Sequence, residues 1–120
     1  MANEITMTAN LAVTKSGVTI SSATSRTITM AGTEMIGNLQ SIGFADAEAL
    51  VVGDVSTIGY VLVKNTDETN FVQLAMDAPM AVPFAKLLPN DVALFPAASA
   101  TIYAQAAVAA CVVQVIALEL

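Results

Sequence analysis

The chain contains no histidine and no tryptophan, and its single cysteine is Cys111. Without histidine it lacks the commonest general base and the commonest zinc ligand, and no Ser-His-Asp or Cys-His system can form within it. Without tryptophan, a carbohydrate platform built on that large ring is excluded. A lone cysteine cannot form an intrachain disulfide, and the apolar neighbours of Cys111 predict a buried, inert thiol.

Charged residues are also scarce. They make up 12% of the chain, against 56% hydrophobic residues, whereas an ordinary soluble domain has about 25% charged residues. A chain of 120 residues forms one domain with a core, but such a small domain is mostly surface. The composition therefore predicts either insertion into a membrane or a surface that is largely buried against protein partners.

The basic residues do not support binding to nucleic acid or to a membrane surface. There are four of them, scattered along a chain of net charge −6, so no basic stripe faces a phosphate backbone or an anionic lipid surface. The N-terminus has no basic and apolar regions of a secretory signal. Residues 98–118 are long enough to span a bilayer, but two glutamines and the lack of flanking basic residues favour a buried strand instead.

The N-terminal segment has the clearest pattern. Apolar residues alternate with polar ones from Ile5 to Val13, which is the two-residue period of a half-buried strand. Ser16-Gly17 predicts a turn, and the threonine-rich stretches at 18–20 and 26–30 repeat the alternation. We expect residues 1–14 to form a long N-terminal strand.

Short strands separated by turn signals continue to the end of the chain. Glycines punctuate residues 32–53, where we predict only one helical turn or a short strand at 46–52. Four prolines exclude long helices between residues 77 and 97. The segments at 58–63 and 71–76 are expected to form a hairpin-like pair across the turn cluster at 65–70. Further strands are predicted at 82–88, 92–95, 102–107 and 112–118. The eight to ten strands predict an all-β fold, a single-domain β-sandwich of jelly-roll type over residues 1–120.

Carboxylates are the remaining candidates for chemistry. The possible acid/base pairs are Asp46 with Glu48 and Asp67 with Glu68. Neither has a matched partner, so we predict no catalytic residue and no enzyme. Asn65, Asp67 and Asn70 could offer oxygens to calcium, but without EF-hand spacing we favour a turn stabilised by Asx hydrogen bonds. We therefore predict no metal site and no cofactor.

Small and apolar residues provide candidates for a subunit interface. The alanine-rich run near residue 107 either packs inside the sandwich or lets another chain approach closely, for instance around a threefold axis, and the shortage of charge favours an interface. The N-terminal strand, with its threonine face, could add to the sheet edge of a neighbouring chain. The predicted interface residues are Ile5, Met7, Leu11, Ala104, Ala106, Ala107, Ala109 and Ala110.

Five short motifs lie between residues 48 and 119. They are Gly59-Tyr60-Val61, Lys64-Asn65 with Asp67, Thr69-Asn70-Phe71-Val72, Ala93-Leu94-Phe95-Pro96 and Ile102-Tyr103-Ala104. The series resembles small virion proteins of tailed bacteriophages, in which a similar run leads through a proline-containing stretch to a final apolar strand. The motifs cover about half the chain, and the N-terminal half carries no such resemblance.

The resemblance implies a β-sandwich or jelly-roll subunit of a virus particle, such as a capsid decoration (cement) protein. Such proteins commonly form trimers that clamp major capsid proteins. It therefore implies a homotrimer that binds the major capsid protein on the capsid exterior, after synthesis in the host cytoplasm. The alternatives are a tail, neck or fibre-base subunit of the virion, or a small ligand- or sugar-binding β module with a polar pocket.

Overall fold

The computed structural model describes residues 4–53, 55, 58–97 and 101–119. These residues form ten β-strands in three antiparallel sheets, without a helix, so the predicted all-β class is confirmed. The chain divides into two compact units, residues 1–31 and residues 32–120. The first is a hairpin and the second a sandwich of two sheets.

The hairpin consists of β1 (Ile5–Lys15) and β2 (Val18–Ile28), paired antiparallel along their full length. The stretches at 18–20 and 26–30 thus belong to one continuous strand. Ser16 and Gly17 form the turn with positive φ angles of 53° and 80°. Two central residues with positive φ match the right-handed twist of the flanking strands, which is why two-residue hairpin turns adopt this geometry.

The sandwich contains the other eight strands. They are β3 (Met35–Ile42), β4 (Glu48–Ala49), β5 (Ile58–Asn65), β6 (Val72–Ala75), β7 (Pro83–Leu87), β8 (Val92–Pro96), β9 (Tyr103–Ala106) and β10 (Cys111–Glu119). Pairing is nested: β3 pairs with β10, β4 with β9, β5 with β8 and β6 with β7. The pairs β10–β5 and β6–β9 close two four-stranded sheets, β3-β10-β5-β8 and β4-β9-β6-β7. Nested antiparallel pairs wrapped into two sheets are the connectivity of a jelly roll.

The core lies between the two sheets of the sandwich. In β10 the side chains of Cys111, Val113, Val115 and Ala117 are buried, and the residues between them are not. They belong to one cluster with residues of the opposite sheet, among them Leu74. Burying apolar area at about 25 cal/mol per Å² is the main stabilising term of such a core.

Asn65 organises the crossing from β5 to β6. Its side chain is fully buried and donates from Nδ2 to the carbonyl oxygens of Asn70 (2.9 Å) and Leu87 (3.0 Å), while Oδ1 accepts from the N–H of Asp67 (3.0 Å). These bonds replace the water that a buried amide would lose. They hold a turn that leaves one sheet and enters the other. The expected hairpin between 58–63 and 71–76 is therefore wrong, because β5 and β6 lie in different sheets.

Of the two alternatives predicted for residues 46–52, the short strand forms, as β4, and the helical turn does not. Strand β3 was not predicted, because its inward side mixes Ile36 and Ile42 with Asn38 and Gln40. Gln40 pairs with the backbone of Val51 in both directions, at 2.7 Å and 2.9 Å, so an amide takes the place of a strand partner.

The segment considered as a membrane span contains β9 and β10, as its strand-like composition indicated. In the described part of the chain, no helix has the length and apolar character needed to cross a bilayer.

Candidate interaction surfaces

One face of the hairpin is apolar and open to solvent. Because directly paired residues share a face, the register places Lys15, Ser22, Thr24 and Arg26 on this face together with its larger apolar residues. The larger apolar residues that are exposed or half-buried here are Met7, Leu11, Val13, Val18 and Ile20. We call these five residues the hairpin apolar face. Leu11 is 79% exposed and Ile20 is 67% exposed. The side chains that would form the core of a larger sheet protein are here in water.

The opposite face of the hairpin is polar. It pairs threonine with threonine at Thr6–Thr27 and Thr14–Thr19, and the hydroxyls of the second pair lie 2.9 Å apart. Such a face is stable in contact with water, whereas an exposed aliphatic face signals a binding surface. The polar face of the hairpin is therefore suited to contact with water, whereas the apolar face is suited to contact with another apolar surface.

A second exposed apolar surface lies on the outside of the β3-β10-β5-β8 sheet. It comprises Met35, Leu39, Val92, Leu94, Val112 and Ile116, which we call the outer sheet face. Met35 is 70% exposed, Leu39 66% and Val92 54%. The register adds Lys64, Gln114 and Ser41 as polar members of this surface. An antiparallel sheet with one solvated side normally alternates apolar and polar residues, so an apolar outer side indicates a covering partner.

The other sheet shows the ordinary pattern. Its outward positions include Gln73 of β6, which is paired with Lys86 of β7 and with Gln105 of β9. The Lys86 ammonium lies 4.3 Å from the centroid of the Phe71 ring, a cation–π contact at the surface. The amide of Gln105 donates to the carbonyl oxygen of Phe44 at 3.0 Å. These three strands carry polar residues on this side, and β7 also exposes Phe84 at 46%.

The structure separates the predicted interface residues. On β1, Ile5 is buried, Met7 is half-buried and Leu11 is exposed. Ala104 and Ala106 point into the core at 0% and 4% exposure, so their side chains are not available to another chain in this fold. In the loop before β10, the three remaining alanines are Ala107, half-buried, and Ala109 and Ala110, both exposed.

The predicted interface residues include none from the outer sheet face and none from the β2 part of the hairpin apolar face. A signal for the former was present: the final strand is apolar at nearly every position, with Val112 and Ile116 between its core residues. In a two-layer sandwich, only one side of a strand meets the core. A strand that is apolar on both sides therefore indicates a second partner.

Two of the four carboxylates that were considered for chemistry, Asp67 and Glu48, accept hydrogen bonds from backbone N–H groups. Asp67 Oδ2 accepts from the N–H groups of Asn70 (2.6 Å) and Thr69 (2.9 Å), and these two bonds lower the pKa of its carboxyl. Glu48 Oε2 accepts from the N–H of Gly43. The Asx-turn interpretation of residues 65–70 is the one that these hydrogen bonds support. Among the described residues, no three His, Cys, Asp or Glu side chains form a group that could hold a metal ion.

Cys111 is fully buried, and its sulfur lies 3.6 Å from the carbonyl oxygen of Ala109. Burial raises the pKa of its thiol, and the negative charge of Asp67 raises it further. Both effects disfavour the thiolate, which is the reactive form. The predicted inert thiol agrees with this environment.

Comparison with family models, with curated proteins and with solved structures finds no match for the chain. Its function must therefore be argued from the two apolar surfaces.

Proposed function

We propose that this chain is a non-enzymatic structural subunit that buries its outer sheet face and its hairpin in an assembly of protein chains. The observation that carries the proposal is the contrast between the two outer sides of one sandwich. One side carries the paired polar residues Gln73, Lys86 and Gln105, and the other exposes Met35, Leu39 and Val92. A folded sheet retains such a surface when another protein covers it.

The energy available from this surface is sufficient for association. A fully buried aliphatic side chain contributes about 1.5–3 kcal/mol, so covering a half-exposed one contributes about 1 kcal/mol. The six residues of the outer sheet face then supply about 6 kcal/mol before the cost of association. The hairpin apolar face adds a similar amount. Assembly by such contacts needs no active site.

The specific role that we propose is that of a capsid decoration protein of a tailed bacteriophage. The jelly roll supports it, since this architecture is common in viral capsid domains, although a fold by itself does not determine function. The charge-poor composition and the motifs that resemble phage virion proteins support it too. In this role the chain is a homo-oligomer, expected to be a trimer, that binds major capsid proteins on the exterior of the head and stabilises the shell.

The first experiment measures the copy number of the chain in purified particles by quantitative mass spectrometry. A decoration protein is expected at hundreds of copies per particle, because it repeats with the capsid lattice. A handful of copies would contradict the decoration role and support a tail, neck or fibre-base subunit. Absence from the particles would contradict any virion role.

The second experiment tests assembly through the outer sheet face. Leu39→Lys places a charge on that face, and Gln73→Lys places the same charge on the polar outer side of the other sheet. We expect Leu39→Lys to weaken self-association at least about tenfold, which corresponds to about 1.4 kcal/mol, and Gln73→Lys to change it less than about twofold. Sedimentation over a range of concentrations measures this. A wild-type chain that remains monomeric at the highest concentration would contradict the proposal, as would equal effects of the two variants.

A further inference from the structure

The hairpin has only two strands, and most of its apolar face is exposed to solvent. Such a ribbon is only marginally stable in water and requires a third strand or a packed face. In the distal half of the hairpin, Leu11, Val13, Val18 and Ile20 are all more than half exposed. A covering surface for these side chains must be apolar and relatively flat. The outer sheet face has these properties.

Building on the proposed function, we propose that the hairpin apolar face of one copy packs against the outer sheet face of a second copy of this chain. The two surfaces have similar sizes. Eleven paired residues, at about 3.4 Å per residue and about 4.8 Å between strands, offer roughly 37 by 10 Å, or about 360 Å². The four strands have eight, nine, eight and five residues. With the same spacings they span roughly 26 by 19 Å, or about 490 Å².

The area is appropriate for a stable contact between copies. In a closed dimer each copy gives one hairpin and receives one, so both surfaces belong to a single interface. Each copy then covers about 850 Å² in it, close to the roughly 800 Å² per partner of a standard interface, whereas each contact in a ring of three covers about half of this. Neither surface alone reaches this size, which is why the pairing of the two favours a second copy over an unrelated partner.

Charge favours the same partner. Residues 1–31 hold Lys15 and Arg26 against Glu4, a net charge of +1. Residues 32–120 hold the other nine acidic residues against Lys64 and Lys86, a net charge of −7. By net charge two sandwiches repel each other and a hairpin is attracted to the sandwich of another copy, while Lys64, a member of the outer sheet face, opposes this attraction locally. The register places Arg26 opposite Met7 and Lys15 opposite Val18, so both positive charges lie on the apolar side of the hairpin.

The sequence suggested that the N-terminal strand pairs with the sheet edge of a neighbouring chain. Such pairing leaves the apolar face of the hairpin exposed to water. A strand added beside β1 extends the ribbon but covers neither of its faces. Leu11 and Ile20 would stay exposed in that arrangement. Packing face to face removes both apolar surfaces from water at once.

The test uses variants of the full chain, each with one added cysteine, in a mixed sample. A tagged chain carries Val13→Cys, on the hairpin apolar face, and an untagged chain carries Leu94→Cys, on the outer sheet face. The control for the first is Ala12→Cys, one residue away on the polar face of the hairpin. The control for the second is Lys86→Cys, on the other sheet. The buried Cys111 is retained, and the unsubstituted chain reports its background.

The mixed samples are treated with a short bismaleimide, and the crosslinked products that join a tagged to an untagged chain are measured. We expect the pair Val13→Cys and Leu94→Cys to give at least about ten times more of this product than any pair that contains a control variant. A product that joins a tagged and an untagged chain can only form between two copies. Circular dichroism and thermal melts confirm that each variant is folded. All four positions are at the surface, where substitutions usually change stability by less than about 0.5 kcal/mol.

The outcomes separate this inference from the proposed function. Oligomers that form without the Val13–Leu94 product, or that crosslink equally through Ala12→Cys, would overturn the hairpin contact and leave the assembly role intact. A monomer by light scattering, with no intermolecular product, would overturn both. Loss of oligomers in the Leu11→Ser variant, but not in the matched Ala12→Ser variant, would independently support the contact.

Discussion

The hairpin and the jelly roll are built from the same alternating pattern, but with opposite results. In β1 and β2 only Ile5 is buried, whereas β10 alone buries four side chains. The alternation gives each strand an apolar side in both units. The jelly roll covers its apolar sides with a second sheet of its own, and the hairpin has none. The jelly roll thus has a core within one chain, and we expect the hairpin to gain stability from the partner proposed above.

The strongest test of this difference compares two leucines. Leu74 is fully buried in β6, and Leu11 is 79% exposed in β1. We expect Leu74→Ala to lower the free energy of unfolding by about 3 kcal/mol, because it leaves a cavity in a packed core. We expect Leu11→Ala to change it by less than about 0.5 kcal/mol when measured on the monomer. Urea unfolding at low protein concentration measures both. Similar losses for the two variants would show that the hairpin is covered within one chain.

The next comparison uses two asparagines. Asn65 is fully buried with three hydrogen bonds from its side chain, whereas Asn10 is exposed on the polar face of the hairpin. Asn65→Ala leaves two carbonyl groups and one N–H without these partners, and we expect it to cost about 2 kcal/mol of stability. Asn10→Ala is expected to be neutral within about 0.5 kcal/mol.

The variant Asn65→Asp keeps the shape of the side chain but removes its N–H donors. It therefore distinguishes the contribution of packing to stability from that of the hydrogen bonds. Its carboxylate faces two carbonyl oxygens that had accepted hydrogen bonds, so we expect it to be at least as destabilising as Asn65→Ala. Urea midpoints at neutral pH measure all three variants. A stable Asn65→Asp would show that packing, and not the hydrogen bonds, holds this crossing.

The smallest expected effect concerns the pH dependence of the same turn. The N–H groups of Asn70 and Thr69 hold the pKa of Asp67 below its ordinary value of 3.8. Because the pKa is lower in the folded chain, the carboxylate contributes stability that is present above the ordinary pKa and is lost as the pH falls through the folded value. We expect Asp67→Asn to be less stable than the wild type at neutral pH, with a gap that closes below about pH 4.

Unfolding of wild type and Asp67→Asn in urea over a series of pH values checks this. Glu68→Gln is the matched control, since it removes the neighbouring charge of the same turn. A gap that stays constant from neutral to acidic pH would show that the hydrogen bonds of Asp67 do not depend on its charge. The hairpin lies outside this turn, so we expect neither variant to change the structure of the hairpin.

Much of the local structure could be predicted from the sequence. The period of β1, the Ser16-Gly17 turn and the apolar final strand each follow from neighbouring residues. Strand β3 was not predicted because Asn38 and Gln40 occupy its inward side. Only the tertiary contacts explain their presence there: Gln40 bonds with the backbone of Val51 and donates to Asn38. The partner of β5 was predicted wrongly, since short-range turn signals favour the next strand in sequence, whereas β5 pairs with β8 and β10.

The alanine-rich run shows that the candidate surfaces, too, could be predicted only in part from the sequence. Its small side chains fit a core and an interface equally well. The pairing of Ala104 with Leu74 and of Ala106 with Val72 places these two alanines inside the sandwich. The exposed surfaces are made instead by larger residues, such as Leu39 and Ile20, that a sequence pattern cannot distinguish from core residues.

By itself, the sequence determined the all-β class, the lack of histidine-based chemistry and a charge too low to cover the surface. Only the tertiary structure decided which apolar sides meet each other and which remain open. The physical reason is that alternation along a strand defines two sides locally, while the neighbour that covers a side comes from a distant part of the chain. In this jelly roll β3 pairs with β10, and no local pattern in either strand specifies the other.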